Sequence, residues 1–203
     1  LNIPPDGEGL FADVLMSIRN TGEQATDALV FILNDNLVIK KMVALEGNGP
    51  LEWQKYEGGY YRVQMVEPLE PGQETRISAA YYGSISQWYS PGWRQQPEPL
   101  AFLNARGIVL PTSAHWYPVL QTHVVPTQWG QARARSAETQ FSIRVEGHSQ
   151  PLIVNLPQIR TGFWEGMTAD LFLASANWHD VEVGDFHLWY TPGQGESADL
   201  LIK

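Results

Sequence analysis

The 203-residue sequence predicts an all-β fold, an antiparallel β-sandwich, and three observations carry that prediction. Apolar residues recur with a period of two, which places alternate side chains on opposite faces of a strand. Glycines and prolines fall mainly between the apolar runs, where turns need them. No long stretch shows the 3.6-residue period of an amphipathic helix. Short strands punctuated this closely argue for a sandwich or barrel.

The elements follow in order. In Val14–Arg19, Val14, Met16 and Ile18 share one face, and Ser17 and Arg19 the other. Ala28–Leu33 and Leu37–Leu45 are more continuously apolar, so both are expected as central strands, with Asn34-Asp35-Asn36 as a tight turn between them. Tyr61–Met65 alternates cleanly, and Thr75–Tyr81 is a further strand. Gly47-Asn48-Gly49-Pro50 and Glu70-Pro71-Gly72 read as turns, because proline presets φ and glycine accepts positive φ. Later strands are expected near Gly107–Leu110, Phe141–Glu146, Leu152–Asn155, Leu171–Ala174 and Val183–Tyr190, with one short helical piece near Gln128–Ala137. Ser84 to Pro99 holds three prolines with Trp88, Tyr89 and Trp93, and reads as a long connecting loop. The organisation expected is one domain over 1–203, with two β sub-units, 1–83 and 101–203, joined through 84–100.

Composition narrows the function. At 43% hydrophobic residues the chain has enough apolar material for a sizeable core. A formal net charge of −9, with no basic block, makes nucleic acid or an anionic membrane surface a poor partner. Without cysteine there is no disulfide, thiolate metal site or cysteine nucleophile. No stretch approaches the roughly 20 apolar residues of a membrane-spanning helix. A start at Leu1, with no visible leader, is expected of a processed product or excised fragment.

Chemistry is sparse. HExxH, GxSxG and P-loop patterns do not occur, so neither a helical zinc site, a serine elbow nor a phosphate cradle is expected, and no cofactor is assigned. His179-Asp180 and His187 meet only if their strands pair in register, and scattered histidines produce such near-pairs by chance. Glu165 and Asp170 are the carboxylates to name for a glycosidase, which needs two acids facing each other across a sugar. With 22 acidic residues in the chain, solvated strand ends account for them more readily. Eight tryptophans stand out, although large aromatics most often fill cores. Trp88, Tyr89, Trp93, Trp116 and Trp164 are the residues proposed for an interaction surface, serving either a docked domain or, through Trp88, Trp93 or Trp164, a stacked sugar.

Several segments together carry a resemblance. Asn20-Thr21-Gly22, then Ala28-Leu29-Val30-Phe31-Ile32-Leu33-Asn34, then Leu37-Val38-Ile39 resembles the opening of the N-terminal β domain of M1-type (gluzincin) aminopeptidases. Pro68-Leu69-Glu70-Pro71-Gly72 and Tyr81-Tyr82-Gly83 resemble a turn and a strand end of that domain. Gly107-Ile108-Val109-Leu110 and Trp116-Tyr117-Pro118 resemble a stretch of the membrane-associated relatives, some of them fused to ABC-2-type permease segments. Phe163–Gly166 and His187–Tyr190 are compatible with the closing part of the domain. One departure matters: the acidic D-E-P continuation of classical members is replaced here by Val119-Leu120-Gln121, so no substrate-contacting residue is carried over. The family's exopeptidase loop and HExxH helix belong to its next domain, which would begin near Lys203. The resemblance therefore implies a non-catalytic, extracytoplasmic β domain of a larger membrane-associated protein. Its partner would be a neighbouring domain of the same polypeptide, with peptide or carbohydrate as further ligands. The alternative is a carbohydrate-binding β-sandwich module.

Overall fold

The computed structural model describes residues 1–5, 8–46, 49–85, 88–89, 99–104, 107–121, 139–175, 179–183 and 186–190. The helical piece expected at Gln128–Ala137 lies outside these residues.

The described chain is strand after strand. The first half holds β1 (Leu10–Arg19), β2 (Thr26–Ile32), β3 (Leu37–Ala44), β4 (Glu52–Lys55), β5 (Tyr60–Leu69) and β6 (Glu74–Gly83). Then come β7 (Trp88–Tyr89), β8 (Pro99–Asn104), β9 (Gly107–Leu110) and β10 (Val119–Leu120). The last part holds β11 (Thr139–Arg144), β12 (Leu152–Val154), β13 (Gln158–Arg160), β14 (Phe163–Thr168), β15 (Leu173–Ser175), β16 (His179–Val183) and β17 (Phe186–Tyr190). The helical turns among the described residues are two single 3-10 turns, Glu57–Gly59 and Thr112–Ala114.

These strands form antiparallel sheets in the orders β1-β6-β3, β10-β2-β5-β4, β11-β14-β13, β12-β15-β9-β8-β7 and β16-β17. In the first two sheets the period of two reads directly into burial. Leu10, Ala12 and Ile18 of β1, Ile77, Ala79 and Tyr81 of β6, and Leu37, Ile39 and Met42 of β3 are buried. They share one apolar cluster with Leu29, Phe31, Tyr61, Val63 and Met65 of the four-stranded sheet. The buried Tyr61 hydroxyl crosses between the sheets and donates to the Leu37 carbonyl at 3.0 Å. The same cluster continues through Leu103, Ile108, Leu110, Ile143, Trp164 and Leu173 of the later strands and Val145 just past β11. Main-chain pairing also joins the two halves of the sequence. Val119 pairs with Ile32. Ile3 donates to the Glu146 carbonyl at 3.0 Å.

Two expectations need correction. Leu37–Leu45 is not a central strand: β3 lies at an edge, whereas β2 is flanked on both sides. Asn34-Asp35-Asn36 is the tight turn expected, closed by Leu37 N donating to Asn34 O at 2.9 Å. It passes the chain from one sheet to the other instead of closing a hairpin, so the apolar run reflects two-sheet core packing and not a central position. Within 84–99, Trp88–Tyr89 is a short strand paired with β8, and residues 86–87 and 90–98 lie outside the described set.

Candidate functional site

Two stretches that carry the resemblance come together where the turn after β2 meets the 3-10 turn before β10. Asn34 is the hinge pin. Its amide N–H donates to the His115 carbonyl at 2.8 Å. Its Nδ2 donates to the Ala114 carbonyl at 2.9 Å. Its Oδ1 accepts from Asn36 N at 3.1 Å. One asparagine thus closes its own turn and ties it to a segment 80 residues away, which suits a side chain with both donors and an acceptor. Leu33 N donates to the Gly59 carbonyl at 2.9 Å. Gly59 sits at φ +77°, and a Cβ there would run into the Leu33 carbonyl oxygen.

On the other side, Thr112–Ala114 is capped by His115 at φ 49°, ψ 42°. This is the one non-glycine positive φ among the described residues, a left-handed conformation held by its surroundings. The buried Tyr81 hydroxyl donates to the Trp116 carbonyl at 3.0 Å. Tyr117 donates to Thr112 Oγ1 at 3.1 Å, Thr112 Oγ1 donates to the Leu171 carbonyl at 3.0 Å, and Leu171 N returns to the Tyr117 hydroxyl at 3.4 Å. The Tyr117 ring meets Trp116 and Phe141 edge-on, at centroid distances of 5.0 and 5.5 Å. Burial raises the pKa of Tyr81 and of Tyr117 and lowers that of His115, which favours the neutral form of each. Each hydroxyl is committed to a main-chain or turn contact. The junction holds the two halves in register; it presents no nucleophile–base pair.

The proposed surface residues divide. Trp116 and Trp164 are 2% and 4% exposed, so neither forms part of a surface. Trp164 lies opposite Ile143 in the β11–β14 pair, on the inward face set by the alternation around Ile143. Trp88 and Tyr89 lie on β7, and Trp93 falls outside the described residues. Glu165 is on β14 with Gln140 Nε2 at 3.4 Å. Asp170 acts through its carbonyl, which accepts from Asn155 Nδ2 at 2.6 Å and Thr168 Oγ1 at 2.9 Å in a turn. β16 and β17 do pair, but the register sets His187 opposite Glu182 and His179 opposite Tyr190. No group of three metal-ligating side chains occurs among the described residues.

Two features escaped the sequence. His148 Nε2 lies 2.6 Å from Ser175 Oγ, and Ser175 donates onward to the Pro151 carbonyl at 2.8 Å. The serine proton is thereby used, so Nε2 carries the imidazole hydrogen and Nδ1 faces inward without a partner, as does Gln150 Oε1. Nothing in the spacing of His148 and Ser175 signals this contact. The second is a row across the outward face of β1-β6-β3, where Phe11 and Val38 flank Tyr82 from either side. Phe11 stacks on Tyr82 at 6.1 Å between centroids, and Lys40 Nζ lies 4.5 Å from the same ring. Phe11 and Leu15 at the outward positions of β1 were its signal, since a strand with one solvated face alternates with polar residues there.

By sequence, no family model and no curated protein matches the chain. By structure, it is similar to an M1 zinc metallopeptidase from Deinococcus radiodurans, at a TM-score of 0.55 and 16% identity, over 99% of this chain and 49% of that one. A variant of a Deinococcus radiodurans M1 zinc metallopeptidase bound to a Tyr-Ser-Ala substrate gives 0.54 and 15%, over 100% and 50%. Leukotriene A4 hydrolase from Saccharomyces cerevisiae gives 0.58 and 11%, over 98% and 31%. The fold is one found within M1 zinc metallopeptidases. The chain spans about half the length of the bacterial neighbours and under a third of the yeast one.

Proposed function

We propose that this chain is the non-catalytic N-terminal β domain of a larger M1-peptidase-like protein, and that it packs against a neighbouring domain. One observation carries the reading: nearly all of this chain matches, while half or more of each neighbour is left over. The junction supports it, because the Asn34 side chain and the Tyr81, Thr112 and Tyr117 hydroxyls are spent on holding strands together. In this reading peptide hydrolysis and the zinc belong to the remainder of the parent. The parent is membrane-associated, with this domain on the extracytoplasmic side. Supporting that part is the resemblance of Trp116-Tyr117-Pro118 and Gly107–Leu110 to the membrane-associated relatives.

The test has two arms. The isolated chain, supplied with zinc, is assayed on aminoacyl anilides and short peptides beside the native polypeptide. The isolated chain is expected to be inert; saturable, chelator-sensitive hydrolysis by it would overturn the proposal. Protease accessibility in intact cells, compared with lysed cells, tests the side of the membrane. Cleavage only after lysis would place the domain inside and remove the extracytoplasmic reading.

A further inference from the structure

We propose that His148, Ser175 and the segment 147–151 form a proton-operated latch, closed while His148 is neutral and opened when it takes up a proton. The latch turns on one atom. Among the described residues, both hydrogen bonds that reach this segment run through Ser175 Oγ, which lies 2.6 Å from His148 Nε2 and donates to the Pro151 carbonyl at 2.8 Å. No main-chain hydrogen bond reaches 147–151 among those residues. Ser175 itself is fully buried on β15. A stretch tied down by so few bonds opens at lower cost than the sheets beside it.

The polar atoms of the segment make the closed state sensitive to charge. His148 is half-buried with Nδ1 inside, and neither Nδ1 nor Gln150 Oε1 has a partner among the described residues. With Ser175 donating to Pro151, Nε2 carries the ring hydrogen and Nδ1 is a bare acceptor. A proton from solvent therefore adds at Nδ1. It turns that atom into a donor without an acceptor and sets a positive charge where burial disfavours one. Burial lowers the His148 pKa accordingly. Among the described residues no charged side chain offsets this. β15 and its neighbours β12 and β9 carry no titratable residue. Beside the segment in the chain, Glu146 pairs with Arg144 at 3.6 Å. Below the ordinary histidine value the open segment binds a proton better than the closed one, so acid opens the latch. Opening loosens what adjoins it. Glu146 N donates to the Leu1 carbonyl at 2.9 Å, Ile3 N donates to the Glu146 carbonyl at 3.0 Å, and Gly147 abuts the Ile3 carbonyl. The proton thus sets how firmly residues 1–3 are held to the later strands.

Glutamyl endopeptidase reads the latch in the native polypeptide, because the Glu146–Gly147 bond must leave its pairing to enter a protease. Cleavage there is located by fragment mass, and its rate at each pH is divided by that of an unstructured peptide spanning residues 143–151. The wild-type ratio is expected to rise toward about tenfold between about pH 7.5 and about pH 5.5, as linkage requires of a histidine whose ordinary pKa is 6.5. His148→Gln keeps a donor for Ser175 but does not titrate, so its ratio should stay flat over that range. Ser175→Ala removes the atom on which both bonds meet and should raise the ratio at the higher pH by about fivefold or more. A wild-type rise below about twofold overturns the latch. A slope that survives in His148→Gln assigns the proton to another group, such as His115, and also overturns it. So does Ser175→Ala cleaved at the wild-type rate, a test that stands even where His148→Gln fails to fold. Tryptophan fluorescence is followed alongside, and a wild-type spectral shift over the same pH range makes the opening global and overturns the latch.

Discussion

Tyr81→Phe removes one oxygen from the centre of the molecule and leaves the ring in place. That hydroxyl is buried, and it donates to the Trp116 carbonyl at 3.0 Å. Phenylalanine fills the same space, so no cavity term arises. What is lost is the hydrogen bond, and what remains is a buried carbonyl without that donor. Such an orphaned acceptor costs about 1–3 kcal/mol. For a domain of this length, about 2 kcal/mol lowers the Tm by roughly 4–8 °C. The assay is urea unfolding followed by tryptophan fluorescence, with Tyr56→Phe as the matched control. Tyr56 also donates a side-chain bond, to Gln54 Oε1 at 3.0 Å, but at an exposed position where water replaces the partner. That variant should shift stability by under about 0.5 kcal/mol. If the two variants unfold at the same midpoint, the tie between β6 and the turn before β10 does not contribute as argued here.

Three further expectations follow. Gly59→Ala should cost about 3 kcal/mol or more, since it combines a positive φ with a backbone collision; Gly72→Ala, at φ +79° but with nothing within 4 Å of the added carbon, should cost only about 1 kcal/mol by thermal melts. Ile143→Asp places an unpaired charge on the buried face opposite Trp164 and should unfold the protein, whereas Arg144→Ser should be nearly silent, and circular dichroism separates the two. Glu46 accepts from Arg76 Nε at 2.8 Å and from Arg76 N at 2.7 Å, which holds its pKa down from 4.5 to about 2. A depressed carboxyl stabilises the fold above its unfolded pKa and loses that contribution as pH falls from about 4.5 toward about 2, so Glu46→Gln should flatten the acid limb of a stability–pH profile in that window.

Strands with one wet and one dry face were legible, because Arg62, Gln64, Ser142 and Arg144 mark the outside as clearly as Val63 and Ile143 mark the inside. Strands with little apolar content were not. β4 carries only Trp53 as an apolar residue, half-buried, and β13 is exposed throughout, so pairing with β5 and β14 defines them where periodicity does not. The candidate site was legible in part. The motif ending in Asn34 and the segment Trp116-Tyr117-Pro118 were picked out separately, and the structure bonds Asn34 to Ala114 and His115, the two residues just before that segment. Likewise Asn20 Nδ2 donates to the Leu69 carbonyl at 2.8 Å, joining two other motifs of the resemblance. Which way an aromatic points was beyond reach. Phe11 stands between Leu10 and Ala12 and Trp164 between Phe163 and Glu165, yet Trp164 is core and Phe11 surface, because strand register sets the facing and a slip of one residue inverts it.

The pairing of β10 with β2 has a consequence for how the chain is made. β2 emerges early in synthesis, yet one of its edges stays open until Val119 and Leu120 have been translated. Ile3, fully buried in the finished molecule, waits longer still, for Glu146. A ribosome that pauses after β6 therefore displays an unfinished sheet with a bare hydrogen-bonding edge, the kind of surface that recruits foreign strands. Maturation of the amino-terminal half is governed by the arrival of the carboxy-terminal half. A nascent chain stalled before residue 119 is the species on which a chaperone would act.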